Sequence, residues 1–194
     1  MVPVAPRWEW RTFGTQFGAV AARLRARASR PRSSAETYVV CERADVNIKI
    51  RDRLIDVKTL QQVDARGLEV WQPIMTAAFP LDAAAIDTLR HIWNLPPVPV
   101  ERATSVAQFL DEIVRPQRKL TAVEVTKRRY GVTIDECLVE VADLTFDGLP
   151  IETLAVEMTD PDRVWQTVHA LGLAAFDNVN YVQALRRFLT VHTR

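Results

Sequence analysis

Apolar and charged residues alternate along VNIKIRDRLIDVKTL, residues 46–60. The side chains of a β-strand point alternately to its two faces, so this pattern predicts a hairpin that turns near residues 51–53. One face of the hairpin carries Val46, Ile48 and Ile50. The other face carries the polar and charged side chains Asn47, Lys49, Arg51, Asp56 and Lys58. This polar face is either exposed to water or lines a site.

Similar patterns predict the other elements. Strand-type alternation occupies 7–14, 35–43, 67–73, 120–132, 136–146 and 151–158. Helical spacing of apolar residues occupies 15–28, 81–94, 105–113, 160–171 and 180–190. Because short turns join most of the strands, we expect a mostly antiparallel sheet and the α+β fold class. We expect a single domain over residues 1–194 with a helical insertion near 81–114, since neither half of the sheet offers a complete core.

The overall composition excludes several classes of function. Hydrophobic residues make up 48% of the chain and charged residues 25%, which is typical of a globular protein. The net charge is only +1, so we expect neither nucleic acid nor an anionic membrane as a partner. Cys41 and Cys137 lie among apolar residues and favour buried free thiols, which predicts a reducing, cytoplasmic location. No signal peptide is evident, and no apolar run approaches the roughly 18 residues that would span a membrane.

Charged residues collect on one face in several of the predicted strands. A sheet with one face in water explains any single strand, whereas a curled sheet turns that face inward and forms a polar tunnel. Five cations would then converge: Lys49, Arg51, Lys58, Lys127 and Arg129. Three carboxylates would join them: Glu9, Glu140 and Glu157. Clustered Lys and Arg suit phosphate oxygens, and carboxylates beside them suit Mg²⁺ or Mn²⁺ bridging to the phosphates.

These motifs resemble those of the CYTH superfamily, the triphosphate tunnel metalloenzymes, which includes inorganic triphosphatases, thiamine-triphosphatases and class IV adenylate cyclases. NIKIRDRLIDVK is similar to the family's second, basic element, and VTKRRY to its K-x-R strand. CLVEVAD is similar to the acidic strand, and LAVEMTDPDRVWQTVHALGL to the closing strand and helix. The motifs are short but extend over most of the chain. The resemblance implies a tunnel-like barrel that binds, and hydrolyses with a divalent metal, a triphosphate or polyphosphate.

The resemblance also implies roles for individual residues. The residues implied to bind substrate are Lys49, Arg51, Lys58, Lys127 and Arg129. We expect Arg11 to neutralise charge on the same substrate, although the resemblance does not imply this role. Glu9, Glu140 and Glu157 are implied to hold one Mg²⁺ or Mn²⁺. Glu9, Glu157 and Lys127 are implied to be catalytic.

Two positions depart from the family pattern. Arg11 stands where the opening motif has a second glutamate, and Ala155 stands where the closing motif has its first. Fewer carboxylate oxygens weaken the binding of a hard cation, so we expect lower metal affinity. Two alternatives therefore stay open. One is a module of the same fold that binds polyanions without cleaving them, and the other is a protein-interaction domain whose polar sheet face is wet.

Overall fold

A computed structural model describes residues 6–28, 30–97, 103 and 105–192. Within these residues it has eight strands and five helices. The strands are β1 (Trp8–Gly14), β2 (Arg32–Val40), β3 (Val46–Arg51), β4 (Leu54–Val63), β5 (Glu69–Ala78), β6 (Thr121–Ile134), β7 (Cys137–Phe146) and β8 (Leu149–Met158). The helices are α1 (Gly18–Arg27), α2 (Ala83–Trp93), α3 (Val106–Phe109, continued as a π-helix over Leu110–Val114), α4 (Pro161–Ala170) and α5 (Tyr181–His192).

The strands form one closed antiparallel barrel in the order β1-β5-β4-β3-β2-β6-β7-β8. This confirms the predicted α+β class and the curling of the sheet. The hairpin at 46–60 is also confirmed, with Lys49 paired to Asp56 and Asn47 to Lys58. β5 continues to Ala78, five residues past the predicted end of its strand. The alternation of apolar and polar residues fades after residue 73, but pairing with β4 holds the backbone extended as far as Leu54 opposite Ala78.

Two apolar clusters cover the outer side of the barrel. The predicted apolar face of the hairpin, including Ile48 and Ile50, is buried beneath α2 and α3. On the other side, Trp10 belongs to a cluster that α1 and α4 complete over β7 and β8. Residues 98–102 and 104 of the predicted insertion lie outside the described residues. The helices on either side of this gap lie between β5 and β6 in the chain.

The inward face of the barrel changes character along its length. At one end it is apolar, where Phe13 of β1 and Phe146 of β7 pack with Tyr181 at the start of α5. Towards the other end, the same faces of β1 and β7 carry Arg11 and Glu140. The barrel is therefore filled at one end by α5 and its apolar neighbours, and it has a polar chamber beyond them.

Cys41 and Cys137 are both buried free thiols, as predicted. None of the helices in the described part of the chain has the length and apolar character needed to cross a bilayer.

Candidate functional site

The polar chamber has a cavity volume of about 210 Å³. Small-molecule pockets typically measure about 300–1,000 Å³, so this chamber suits a small ligand. Its lining comes from all strands of the barrel and from the start of α5, and consists of Glu9, Arg11, Tyr38, Asn47, Lys49, Asp56, Lys58, Trp71, Lys127, Arg129, Glu140, Glu157, Asn180 and Tyr181. The predicted site residues thus converge, apart from Arg51, which lies in an adjoining recess with Arg30, Arg32 and Arg129.

One side of the chamber, called here the basic wall, is formed by Lys49 of β3, Lys58 of β4, and Lys127 and Arg129 of β6. Strand register produces this grouping. β2 lies between β3 and β6, with Tyr38 paired to Lys49 on one edge and Ser34 paired to Lys127 on the other. Because directly paired residues share a face of the sheet, the alternating cations of both neighbours point to the same interior.

Lys127 is already engaged within the protein. Its Nζ lies 2.7 Å from Glu36 Oε2 and donates a 2.7 Å hydrogen bond to the Tyr38 hydroxyl. The side chains are 5% exposed for Lys127 and 0% for Glu36. Burial lowers the pKa of Lys127 to about 8 despite the nearby carboxylate. Burial alone would raise the pKa of Glu36, but the charge and hydrogen bond of Lys127 outweigh it and lower that pKa to about 2.

The other three cations of the basic wall are not engaged in this way. Among the described residues, Lys49, Lys58 and Arg129 form no ion pair with a carboxylate. The Nε of Arg129 is buried and has no hydrogen-bond acceptor, while an Nη of the same side chain reaches Ser34 Oγ at 3.4 Å. Arg32 of β2 is paired directly with Arg129. Like charges placed opposite each other destabilise a sheet, so this corner of the chamber favours a negatively charged occupant.

The opposite side, called here the acidic wall, is formed by Glu9 of β1, Glu140 of β7 and Glu157 of β8. Glu9 is paired with Glu157, and Ala155 is paired with both Arg11 and Glu140. The small side chain of Ala155 separates Arg11 from Glu140 across the sheet. Arg11 therefore lies between the three carboxylates, which the sequence alone did not reveal.

Arg11 makes contact with all three glutamates. Its Nε donates a 2.7 Å hydrogen bond to Glu9 Oε1. Its Nη1 lies 3.8 Å from Glu140 Oε1, and its Nη2 lies 3.8 Å from Glu157 Oε1. The guanidinium also lies over the ring of Tyr181, 4.8 Å from the centroid. A buried cation needs such compensation, and here the acidic wall and an aromatic face provide it.

The carboxylates of the acidic wall differ in pKa. Burial and the charge of Glu9 raise the pKa of Glu157 to about 7. Burial also acts to raise the pKa of Glu9, but the charge and the hydrogen bond of Arg11 outweigh burial, so the pKa of Glu9 is lowered. A carboxyl that titrates near neutrality is suited to exchange protons with a substrate or water, whereas one bound to an arginine is not. Of the two predicted catalytic carboxylates, Glu157 therefore has the chemistry of a proton acceptor.

The three predicted metal ligands are close together, but their arrangement does not fit a resident divalent ion. Their carboxylates surround the Arg11 guanidinium, which would repel a second cation at the same point. Within the described residues, no group of three or more His, Cys, Asp or Glu side chains is arranged to hold a metal. The assignment of Mg²⁺ or Mn²⁺ to Glu9, Glu140 and Glu157 stays a prediction, and the position of Arg11 argues against it.

Several lining residues were not predicted. Tyr38 lies on the same face of β2 as Glu36, the buried partner of Lys127, and both could have been found from the alternation along that strand. Asn180 and Tyr181 could not, because they reach the chamber from the start of α5. Asn180 donates hydrogen bonds of 2.9 and 3.0 Å to the buried carboxylate of Glu69. This contact ties α5 to β5.

The fold and site define a closed-barrel α+β protein with a charged interior chamber. No family model and no curated protein matches the chain. Among solved structures, the chain is similar to HpAC1 from Hippeastrum, a proposed adenylyl cyclase described as having a dominant triphosphatase activity. The identity is 10%, the TM-score is 0.50, and the match covers 94% of this chain and 96% of that one.

Two further structures score slightly lower. A proposed adenylate cyclase from Bacillus halodurans has 12% identity and a TM-score of 0.49, with coverage of 95% and 99% of the two chains. A conserved hypothetical protein from Pyrococcus furiosus has 11% identity and a TM-score of 0.49, with coverage of 90% and 98%. At these identities the likeness concerns the fold alone. Membership of the CYTH superfamily stays a prediction.

Proposed function

We propose that the chamber binds a small phosphate-bearing anion, with inorganic tripolyphosphate as the simplest candidate. The observation that supports this most directly is the set of cations without carboxylate partners: Lys49, Lys58 and Arg129 converge on one cavity. Arginine offers paired N–H donors to phosphate, and lysine adds a point charge. The triphosphatase activity described for HpAC1, which shares the fold, is a further reason to test this anion first.

Isothermal titration of the protein with tripolyphosphate tests this proposal. We expect one binding site whose affinity falls steeply with added salt, because the contacts are charged. Sulfate at the same ionic strength is expected to bind more weakly, since it presents fewer anionic oxygens. The absence of both binding and a thermal shift with any polyphosphate would contradict the proposal and favour the protein-interaction alternative.

Hydrolysis of a phosphoanhydride is a second candidate function, favoured by the titration of Glu157. Its pKa of about 7 suits a general base that takes a proton from an attacking water. Lys49 and Arg129 would neutralise the charge that develops on the phosphate oxygens as the P–O bond breaks. Release of orthophosphate from tripolyphosphate, lost in Glu157→Gln with binding retained, would support an enzyme. Binding without release in the wild type would identify a binding module.

A further inference from the structure

Three observations single out Arg11 among the charged residues of the chamber. Its side chain is only 7% exposed, although it lies in a polar cavity. It contacts all three carboxylates of the acidic wall, at 2.7 Å for Glu9 and 3.8 Å for Glu140 and Glu157. The backbone N–H and the backbone carbonyl of Arg11 are also hydrogen-bonded. The backbone N–H donates to Asn178 Oδ1 at 2.7 Å, and the carbonyl accepts from the N–H of Val179 at 2.6 Å.

These contacts fix the guanidinium at the centre of the acidic wall. The segment 178–179 holds the backbone, and the Tyr181 ring covers the guanidinium at 4.8 Å from its centroid. Thr153 supplies a further acceptor, at 3.4 Å from Nη1. Contacts on this many sides fix the position of the Arg11 side chain in the folded protein. Arg11 is therefore part of the chamber's construction and is not a side chain free to leave for a ligand.

The charge at this point resembles what a metal ion would provide. Three carboxylates that face one another at close range repel, and a cation between them relieves the repulsion. A hard divalent cation would do so through oxygen coordination. Arg11 does so through one hydrogen bond and two longer ion pairs. The charge of Lys58 adds to the effect of Arg11 in lowering the pKa of Glu9, and it offsets a small part of the rise in the pKa of Glu157.

We propose that the Arg11 guanidinium is a resident cation that takes the place of a divalent metal at the acidic wall, so that the chamber binds its phosphate-bearing anion without Mg²⁺ or Mn²⁺. The inferred binding of an anion without metal rests on the proposed function, whereas the inferred replacement of the metal by Arg11 does not. Anion binding and metal binding are therefore measured separately.

Metal binding is tested first, without any anion. Free Mn²⁺ is followed by electron paramagnetic resonance during titration with the wild type, Arg11→Glu, Arg11→Gln and Arg23→Glu. Arg11→Glu removes the resident cation and supplies a fourth carboxylate, so we expect Mn²⁺ affinity to rise at least about tenfold over the wild type. Arg11→Gln removes only the charge and should give an intermediate affinity. Arg23→Glu makes the same charge change on the exposed face of α1 and should match the wild type.

Anion binding is tested in the wild type alone, so it does not depend on whether a variant folds. Tripolyphosphate is titrated in the presence of EDTA and again with excess Mg²⁺. We expect an affinity in EDTA at least equal to that with Mg²⁺, because the cationic contacts are already present in the protein.

Two results would overturn the inference. The first is wild-type Mn²⁺ binding as tight as that of Arg11→Glu. The second is tripolyphosphate binding that requires Mg²⁺ or tightens with it. If tripolyphosphate binds under neither condition, the proposed function fails, while the Mn²⁺ titrations still decide whether Arg11 replaces a metal.

Discussion

The two walls of the chamber handle their charges in opposite ways. On the acidic wall, the carboxylates have a cation of the protein itself, Arg11, between them. On the basic wall, Lys127 alone has such an internal partner, Glu36, while Lys49, Lys58 and Arg129 form no ion pair among the described residues. Lys49 and Arg129 are half-buried and Lys58 is exposed, so their charges are partly hydrated and can attract an anion that enters the chamber.

The comparison distinguishes charged residues that stabilise the chamber from charged residues that can bind a ligand. The pairs Arg11–Glu9 and Lys127–Glu36 maintain the chamber, and the remaining cations of the basic wall are available to an anion. Glu157 stands between these roles, because it touches Arg11 only at 3.8 Å and titrates near neutrality.

The largest effect is expected from breaking the buried pair on the basic wall. Glu36→Gln leaves the Lys127 ammonium without a carboxylate in a site that is almost fully enclosed. Removing one partner of a buried ion pair costs about 3–5 kcal/mol of unfolding free energy. Urea denaturation measures this loss.

The control for that measurement is the double variant Glu36→Gln/Lys127→Met. It removes both buried charges and should recover most of the stability, since Arg51, a further cation at 3.6 Å from Glu36, is partly exposed to water. A loss below about 1 kcal/mol in Glu36→Gln would show that the pair is not structural, and it would weaken the distinction between the two kinds of charge.

The second prediction concerns the charge available to a ligand. Arg129→Ala should weaken tripolyphosphate binding by about 10- to 100-fold, because a hydrogen bond to a charged group contributes about 1.5–3 kcal/mol. Arg128→Ala provides a matched control, since this neighbouring side chain is exposed on the opposite face of β6. Isothermal titration measures both variants. Equal losses in both would contradict the assignment of the anion to the chamber.

The third prediction is a pH dependence on the acidic wall. The pKa of Glu157 is raised from 4.5 to about 7 by burial and by the charge of Glu9, so the folded chain holds this proton more tightly than the unfolded chain does. The resulting stabilisation is complete below about pH 4.5 and is lost as the pH rises through about 7. Its size is limited because the Glu157 side chain is 32% exposed.

Urea unfolding of the wild type and of Glu157→Gln across this range provides the measurement. The variant lacks the titrating group, so its stability relative to the wild type should rise as the pH increases. A difference between the two proteins that does not change with pH would show that Glu157 has an ordinary pKa.

The smallest effect is expected from Asp56, a carboxylate that lines the chamber beside the basic wall. Asp56 is paired with Lys49 across the hairpin and accepts a 2.8 Å hydrogen bond from Thr76. Asp56→Asn removes a charge that repels an anion, so tripolyphosphate should bind about two- to fivefold more tightly, as for a partly screened interaction. Asp135→Asn, in the exposed turn before β7, should leave the affinity unchanged. Weaker binding in Asp56→Asn would place the anion elsewhere.

The sequence was informative where the alternation was strong. A period of two along each strand predicted the hairpin and placed Lys49, Lys58, Lys127 and Arg129 on polar strand faces. The curled sheet that brings these faces together was predicted with the help of the family resemblance. It did not predict that Arg11 is enclosed by Glu9, Glu140 and Glu157. That contact depends on the register of β1, β7 and β8 around Ala155, and residues far apart in the chain determine it.

The apolar end of the barrel was missed for a related reason. Leu144 and Phe146 lie on the same face of β7 as Glu140, so the character of that face changes within one strand. Only the position of α5 explains the change, since Tyr181 and its neighbours fill that end. No periodicity in the sequence indicates which end of a barrel a distant helix covers.

We propose that a phosphate-bearing anion binds on the basic wall while Arg11 stays with the acidic wall. A crystal structure of the protein grown with tripolyphosphate and EDTA would show both positions at once. We expect phosphate density within hydrogen-bonding distance of Lys49 and Arg129, with the Arg11–Glu9 hydrogen bond intact. A chamber without phosphate density, or an anion bound to Arg11 in place of Glu9, would contradict it.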